Sequence, residues 1–172
     1  MPTINGRACV VNGTPVDKVF SNGQQVYSRN LLANSDQQLT NNTGVMSEFI
    51  YTPFNLNDIF DKYGADRDYT VSFDLSSKDP SKVNYIRSYA NPGIPNPNKY
   101  NFDLVEHENV TTTPKRYSRI IHPTLNDATI KTTTLVFYGQ YGTGNVPIVN
   151  RIKITLGNTD NNVWTPAPED IQ

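Results

Sequence analysis

Charge is scarce in this chain and sulfur scarcer. One cysteine, Cys9, stands among 172 residues, which excludes an intramolecular disulfide and a cysteine-built zinc site. Cys9 reads as a small buried hydrophobe, since a catalytic thiol would need His and Asn or Asp partners. Charged residues make up 18%, with Lys plus Arg 15, Asp plus Glu 16 and a formal net charge of -1. A chain so nearly neutral lacks the basic footprint of a nucleic-acid binder. No apolar run approaches the roughly 20 residues of a membrane helix. Met1 to Gly13 lacks the charged start and apolar run of a signal peptide. The expectation is a protein with no membrane anchor and no secretory leader, in which the sequons at Asn12, Asn41 and Asn109 arise by chance. Ala, Leu and Glu are also scarce, which disfavours a helical bundle.

Asn, Thr and Tyr fill the space instead, a composition suited to strands joined by Asn, Gly and Pro turns. Residues 1–29 carry two hairpin signals, Asn12-Gly13 and Asn22-Gly23, between short apolar stretches. They predict a small three-stranded β-meander that is marginal alone and must pack on something larger. A polar loop follows over residues 36–44, then a strand from Glu48 to Tyr51, stopped by Pro53. Asn55 to Tyr63 predicts one short helix, capped by Asn55 or Asn57 and ended by Gly64. Tyr69, Val71, Phe73 and Leu75 alternate with Thr70, Ser72, Asp74 and Ser76, the pattern of a half-buried strand. Further strands are predicted at residues 83–89, 100–105, 115–121, 131–138 and 149–156. A three-proline turn lies over residues 91–98, and an irregular tail begins at Trp164. About seven such strands at regular spacing predict an all-β antiparallel sandwich of jelly-roll type over residues 30–172.

Several stretches carry a resemblance: Arg29-Asn-Leu-Leu32, Ile59-Phe-Asp-Lys-Tyr-Gly64, Tyr69-Thr-Val-Ser-Phe-Asp74, Lys115-Arg-Tyr-Ser118, Leu135 to Asn145, Ile152-Lys-Ile-Thr-Leu-Gly157 and Trp164-Thr-Pro-Ala-Pro-Glu-Asp170. In order and spacing, the chain from about Asn30 to Ile171 resembles the carbohydrate-binding-module-like domains of tail and baseplate proteins in phages and prophages of Gram-positive bacteria. Val19 to Tyr27 is similar to the segments that begin other phage tail-associated proteins. The resemblance implies a sandwich displayed on a virion, adhesion to host-surface saccharides and no catalytic pair. One departure is Arg119-Ile-Ile-His122, where the family usually alternates aromatic residues with Thr.

The residues themselves give catalysis little support. A glycosidase needs two carboxyls about 5–9.5 Å apart, and the candidates Glu48, Asp74, Asp103, Glu106 and Glu108 fit acidic residues on an outer sheet face equally well. His107 and His122 sit in no nucleophile motif and lack zinc spacing. Gly139 to Gly144 lacks the Lys-Ser/Thr of a phosphate loop and reads as a tight strand connection. No EF-hand loop is present, although plentiful Asp and Asn oxygens leave a structural calcium open as the one candidate cofactor. Aromatic residues offer the strongest binding candidate. Tyr85, Arg87 and Tyr89 share one strand face, and Tyr117 and Arg119 join them if their strand lies nearby. Sugar rings stack their C–H faces on aromatics and bond their hydroxyls to planar polar groups, which Asn101 and Asp103 could supply. The same tyrosines could equally form a cross-strand ladder with Arg stems over it. Tyr138 and Tyr141 read as framework. Trp164 reads as a cover for one end of the core, with ligand stacking as the lesser alternative.

The expectation is thus a non-enzymatic virion protein, assembled in the bacterial host cytoplasm, that binds host cell-wall polysaccharide. Residues 1–29 would dock it to other virion proteins. A homo-oligomer is expected, a trimer being frequent among phage adhesins, and neither nucleic acid nor membrane is an expected partner. The alternative is a purely structural decoration or cement protein of capsid, neck or tail.

Overall fold

Two Asn-Gly pairs shape the first strands. Asn12 and Gly13 take φ of 51° and 77°, and Asn22 and Gly23 take 50° and 76°, the left-handed pair that a type I′ turn requires. Each closes an antiparallel hairpin in the computed structural model: β1 (Val10–Val11) with β2 (Thr14–Pro15), and β3 (Lys18–Ser21) with β4 (Gln24–Ser28). The expected meander is therefore two separate two-stranded units. Pro15 removes a donor that β2 would need to pair with a third strand. The structure describes residues 9–39, 49–79, 84–88, 98–102, 105–107, 110–139, 143–158 and 162–171.

The main body is an antiparallel β-sandwich. Its strands are β5 (Phe49–Asn55), β6 (Tyr69–Ser77), β7 (Asn84–Ser88), β8 (Tyr100–Asn101), β9 (Val105–His107), β10 (Lys115–Ile121), β11 (Thr124–Leu125), β12 (Thr134–Tyr138) and β13 (Pro147–Leu156). One sheet has the order β5-β12-β7-β9, the other β10-β6-β13, and β8 pairs with β11 beside them. Among the described strands of the two main sheets, only the neighbours β7 and β9 follow one another within one sheet. Every other step crosses to the opposite sheet, the winding of a jelly roll. Between the sheets lie Val71, Phe73 and Leu75 of β6, Ile152 and Ile154 of β13, Leu135 and Phe137 of β12, and Ile86 of β7. Phe73 sits at the centre, edge-on to Phe137 at 4.8 Å and stacked on Tyr117 at 6.4 Å.

Three local expectations change. Pro53 does not stop β5, which runs on to Asn55. It lies on an edge strand where the register shifts, Tyr51 facing Val136 and Asn55 facing Thr134, and a bulged edge needs no donor there. The helix α1 (Asn57–Tyr63) starts at Leu56 without a side-chain cap. Asn55 instead accepts the Asn57 N–H at 3.2 Å from just outside the helix. Finally, all nine residues of β6 are buried, not half of them. Its polar face is covered by Arg116 and Arg151 and tied to the strand's neighbours, as where Thr70 donates to the Gly157 carbonyl at 2.7 Å.

The boundary near residue 30 is a packed joint. Asn30 is fully buried; its Oδ1 accepts N–H groups of Leu32 and Ile154, and its Nδ2 donates to Ser35 Oγ and the Thr165 carbonyl. Thr165 Oγ1 donates to the Ser28 carbonyl, and Arg29 pairs with Glu169 at 3.1 Å and Asp17 at 3.6 Å. Deleting residues 1–16 should leave sandwich stability unchanged in urea unfolding. Deleting residues 1–29 should leave it folded but weaker by about 1–3 kcal/mol, through the lost partners of Thr165 and Glu169.

Candidate functional site

The aromatic face expected from the sequence is divided between the two sheets. In β7, Asn84, Ile86 and Ser88 are buried, so Arg87 takes the outer side, with its guanidinium 6.0 Å from the Tyr138 ring centre. The register sets Tyr85 opposite Tyr138 and Arg87 opposite Val136. Tyr117 and Arg119 belong to β10 of the other sheet, where they pair with Phe73 and Val71. Tyr117 stacks on the core, and burial raises its phenol pKa. Arg119 Nη1 donates to the Ser118 carbonyl at 2.8 Å. These two therefore do not join Arg87. Asn101 is exposed on β8, opposite Thr124 of β11. Glu48, Tyr89, Asp103, Glu108 and Tyr141 lie outside the described residues, and of Tyr85, Glu106 and His107 only the backbone course is described.

The acidic and imidazole candidates have structural partners. Asp74, its side chain 5% exposed, accepts Arg116 Nη1 at 3.3 Å and Arg151 Nε at 2.6 Å. Both of its oxygens already hold guanidinium donors, and its burial keeps a sugar away. His122 Nδ1 lies 2.9 Å from Asp68 Oδ1, with both groups half exposed. Among the described residues, no three His, Cys, Asp or Glu are grouped to hold a metal ion, and no helix is long and apolar enough to cross a membrane.

A different set of residues lines an open concavity. On the outer side of β13, Lys153 is fully buried and its Nζ donates to the Val163 carbonyl at 2.7 Å. That bond anchors the start of the C-terminal segment, and Asn30 anchors it again at Thr165. The segment ends in a 3-10 turn, Pro168–Ile171. Asp170 Oδ2 accepts the Ala167 N–H at 3.0 Å, and its Oδ1 accepts the Asn34 N–H at 2.8 Å. Asn34 has the left-handed φ of 56° and turns the chain there, a conformation Asn tolerates better than most residues. Gln37 Nε2 donates to the Asn34 carbonyl at 3.1 Å.

Between the pinned segments lies an open groove of about 590 Å³, lined by Asn34, Asp36, Gln37, Trp164, Pro166 and Asp170. It combines the flat apolar faces of an indole and a proline with two carboxylates and two amides. Trp164 Nε1 is buried with no hydrogen-bond partner among the described residues. Trp164 is part-buried and is not one of the described core-cluster residues. The sequence did single out Trp164, but Asn34 read only as part of the segment before a polar loop, and Asp36 and Gln37 as the start of that loop.

No family model matches the chain, and no curated protein matches it either.

Proposed function

We propose that the chain is a phage virion protein, of tail, baseplate or another accessory position, whose β-sandwich acts as a carbohydrate-binding-module-like adhesin for host wall saccharide. The single observation that carries the saccharide reading is the Trp164 groove. A pyranose ring needs a flat apolar surface for its C–H face and planar polar groups for its hydroxyls, and the groove offers both. The resemblance in the sequence supports the virion setting. The reading is non-enzymatic, and Asp74 is held as a structural ion-pair partner. A groove this open binds weakly in one copy, and an array of copies on one particle converts weak contacts into firm attachment.

The first hairpins supply the docking side of this proposal. Val10, Val11 and Phe20 are 44%, 56% and 60% exposed, a density of exposed apolar side chains that suits contact with other virion proteins or further copies of the chain. The same feature favours a second reading, a decoration or cement protein that binds no sugar. The two differ at Trp164. As an adhesin, the Trp164→Ala variant should lose about ten- to a hundredfold in affinity for host wall polysaccharide, roughly 1.4–2.8 kcal/mol of lost apolar contact, while Arg87→Ala should not. Isothermal titration against purified wall polysaccharide measures both. Equal binding by Trp164→Ala and the parent, or no binding by either, would leave the decoration reading standing.

A further inference from the structure

We infer that the Trp164 groove selects an amino-hexose carrying a free ammonium group, and discriminates against phosphate- or uronate-bearing polymers. The inference rests on the saccharide reading above and deepens it. Two carboxylates, Asp36 and Asp170, line the groove, and among the described residues no cationic side chain does. Asp170 is fixed in orientation by one backbone N–H on each oxygen, which leaves a lone pair on each for a ligand donor. Asp36 is exposed and makes no ion pair among the described residues. Of the cations that hold this corner, Arg29 is taken up by Asp17 and Glu169, and the buried Lys153 ammonium by the Val163 carbonyl. An anionic sugar entering the groove meets like charge and no compensating donor of full charge.

An ammonium on the ring reverses that sign. Its three N–H donors match carboxylate and amide oxygens, and Asn34, Gln37, Asp36 and Asp170 present such groups around one concavity. Trp164 supplies the surface on which the ring's C–H face rests, and a cation beside an indole gains further attraction. N-acetylation removes the charge and adds bulk to the same nitrogen. The acetylated and free forms of one oligosaccharide therefore separate charge selection from sugar binding as such.

Trp164 is the only tryptophan in the chain, so its emission reports on this groove alone. The full chain is titrated at about pH 6, where an amino-sugar amine is protonated, with glucosamine tetrasaccharide, its N-acetylated form, a glycerol-phosphate oligomer and calcium chloride. The glucosamine tetrasaccharide should shift the emission saturably, with affinity at least about tenfold above the acetylated form. That margin should shrink with added salt and vanish in Asp36→Asn, an exposed and conservative change. The glycerol-phosphate oligomer should give no saturable response. Equal or tighter binding of the acetylated sugar, or an undiminished margin in Asp36→Asn, would overturn the charge selection while leaving the saccharide reading intact. Response to no sugar, or to calcium alone, would overturn both.

Discussion

Gly139→Ala should be among the most damaging single substitutions in the sandwich, costing about 3–4 kcal/mol of stability. A Cβ on Gly139 would stand 1.7 Å from the Asn145 carbonyl oxygen and 2.7 Å from its carbon. Neither atom belongs to a flexible side chain, so relief requires the connection between β12 and β13 to move. Asn145 resists that movement. It is buried, its N–H donates to Thr143 Oγ1 at 3.3 Å, and its Oδ1 accepts a hydrogen bond from Ser77 Oγ at the end of β6. The requirement at Gly139 is close approach of two backbones, not left-handed geometry. Gly144 in the same connection is the contrasting control. Its φ is 70° with nothing within 4 Å of an added Cβ, so Gly144→Ala should cost only about 1 kcal/mol, for backbone strain alone. Urea unfolding with matched m-values measures both. A Gly139→Ala midpoint equal to that of Gly144→Ala would show that the connection yields freely.

Strand placement was legible where a period of two met a turn signal. β6 and β10 start where alternation starts, and both Asn-Gly pairs turn as their residues require. Which side of a strand faces inward was also legible wherever one parity was apolar, as in β6. Sheet membership was not. Tyr117 and Arg87 each occupy one parity of one strand, but only long-range pairing decides that β10 joins β6 while β7 joins β12. The burial of β6 on both faces was hidden for a related reason. Thr70, Ser72, Asp74 and Ser76 read as solvent-facing, and the cover comes from Arg116 and Arg151, dozens of residues away. In β13 the extra residue Arg151, at φ 48°, shifts the register between Asn150 and Lys153, a bulge that a β-branched neighbourhood does not announce. The groove depends on a separation that spans most of the chain. Asn34 and Asp170 are hydrogen-bonded neighbours across 136 positions of chain, and no local pattern marks either as lining a groove.

The Arg116–Asp74–Arg151 cluster gives the second large expected effect, because the outer face of the three-stranded sheet is held by charge where a hydrophobic layer is absent. Asp74→Ala should destabilise the protein by about 2–4 kcal/mol, since removing one partner of a buried ion pair strands the other. The stranded group is Arg116, whose side chain is 14% exposed, whereas Arg151 at 55% can turn to water. Arg116 keeps bonds to Ser72 Oγ at 2.7 Å and to the Arg151 carbonyl at 2.5 Å, so the loss falls short of a fully isolated charge. Arg151→Ala alone should cost less than about 1 kcal/mol, as exposed pairs do. Arg116→Met should be harmful beside Asp74 but mild, or even restoring, in the Asp74→Ala background, because it removes the uncompensated cation. A double-mutant cycle in urea at low and high salt tests this, and the coupling should survive salt because the carboxylate is shielded from it. Additive effects of Asp74→Ala and Arg116→Met would mean that water, not Asp74, satisfies Arg116, and that the outer layer of β6 is held by its hydroxyl groups instead.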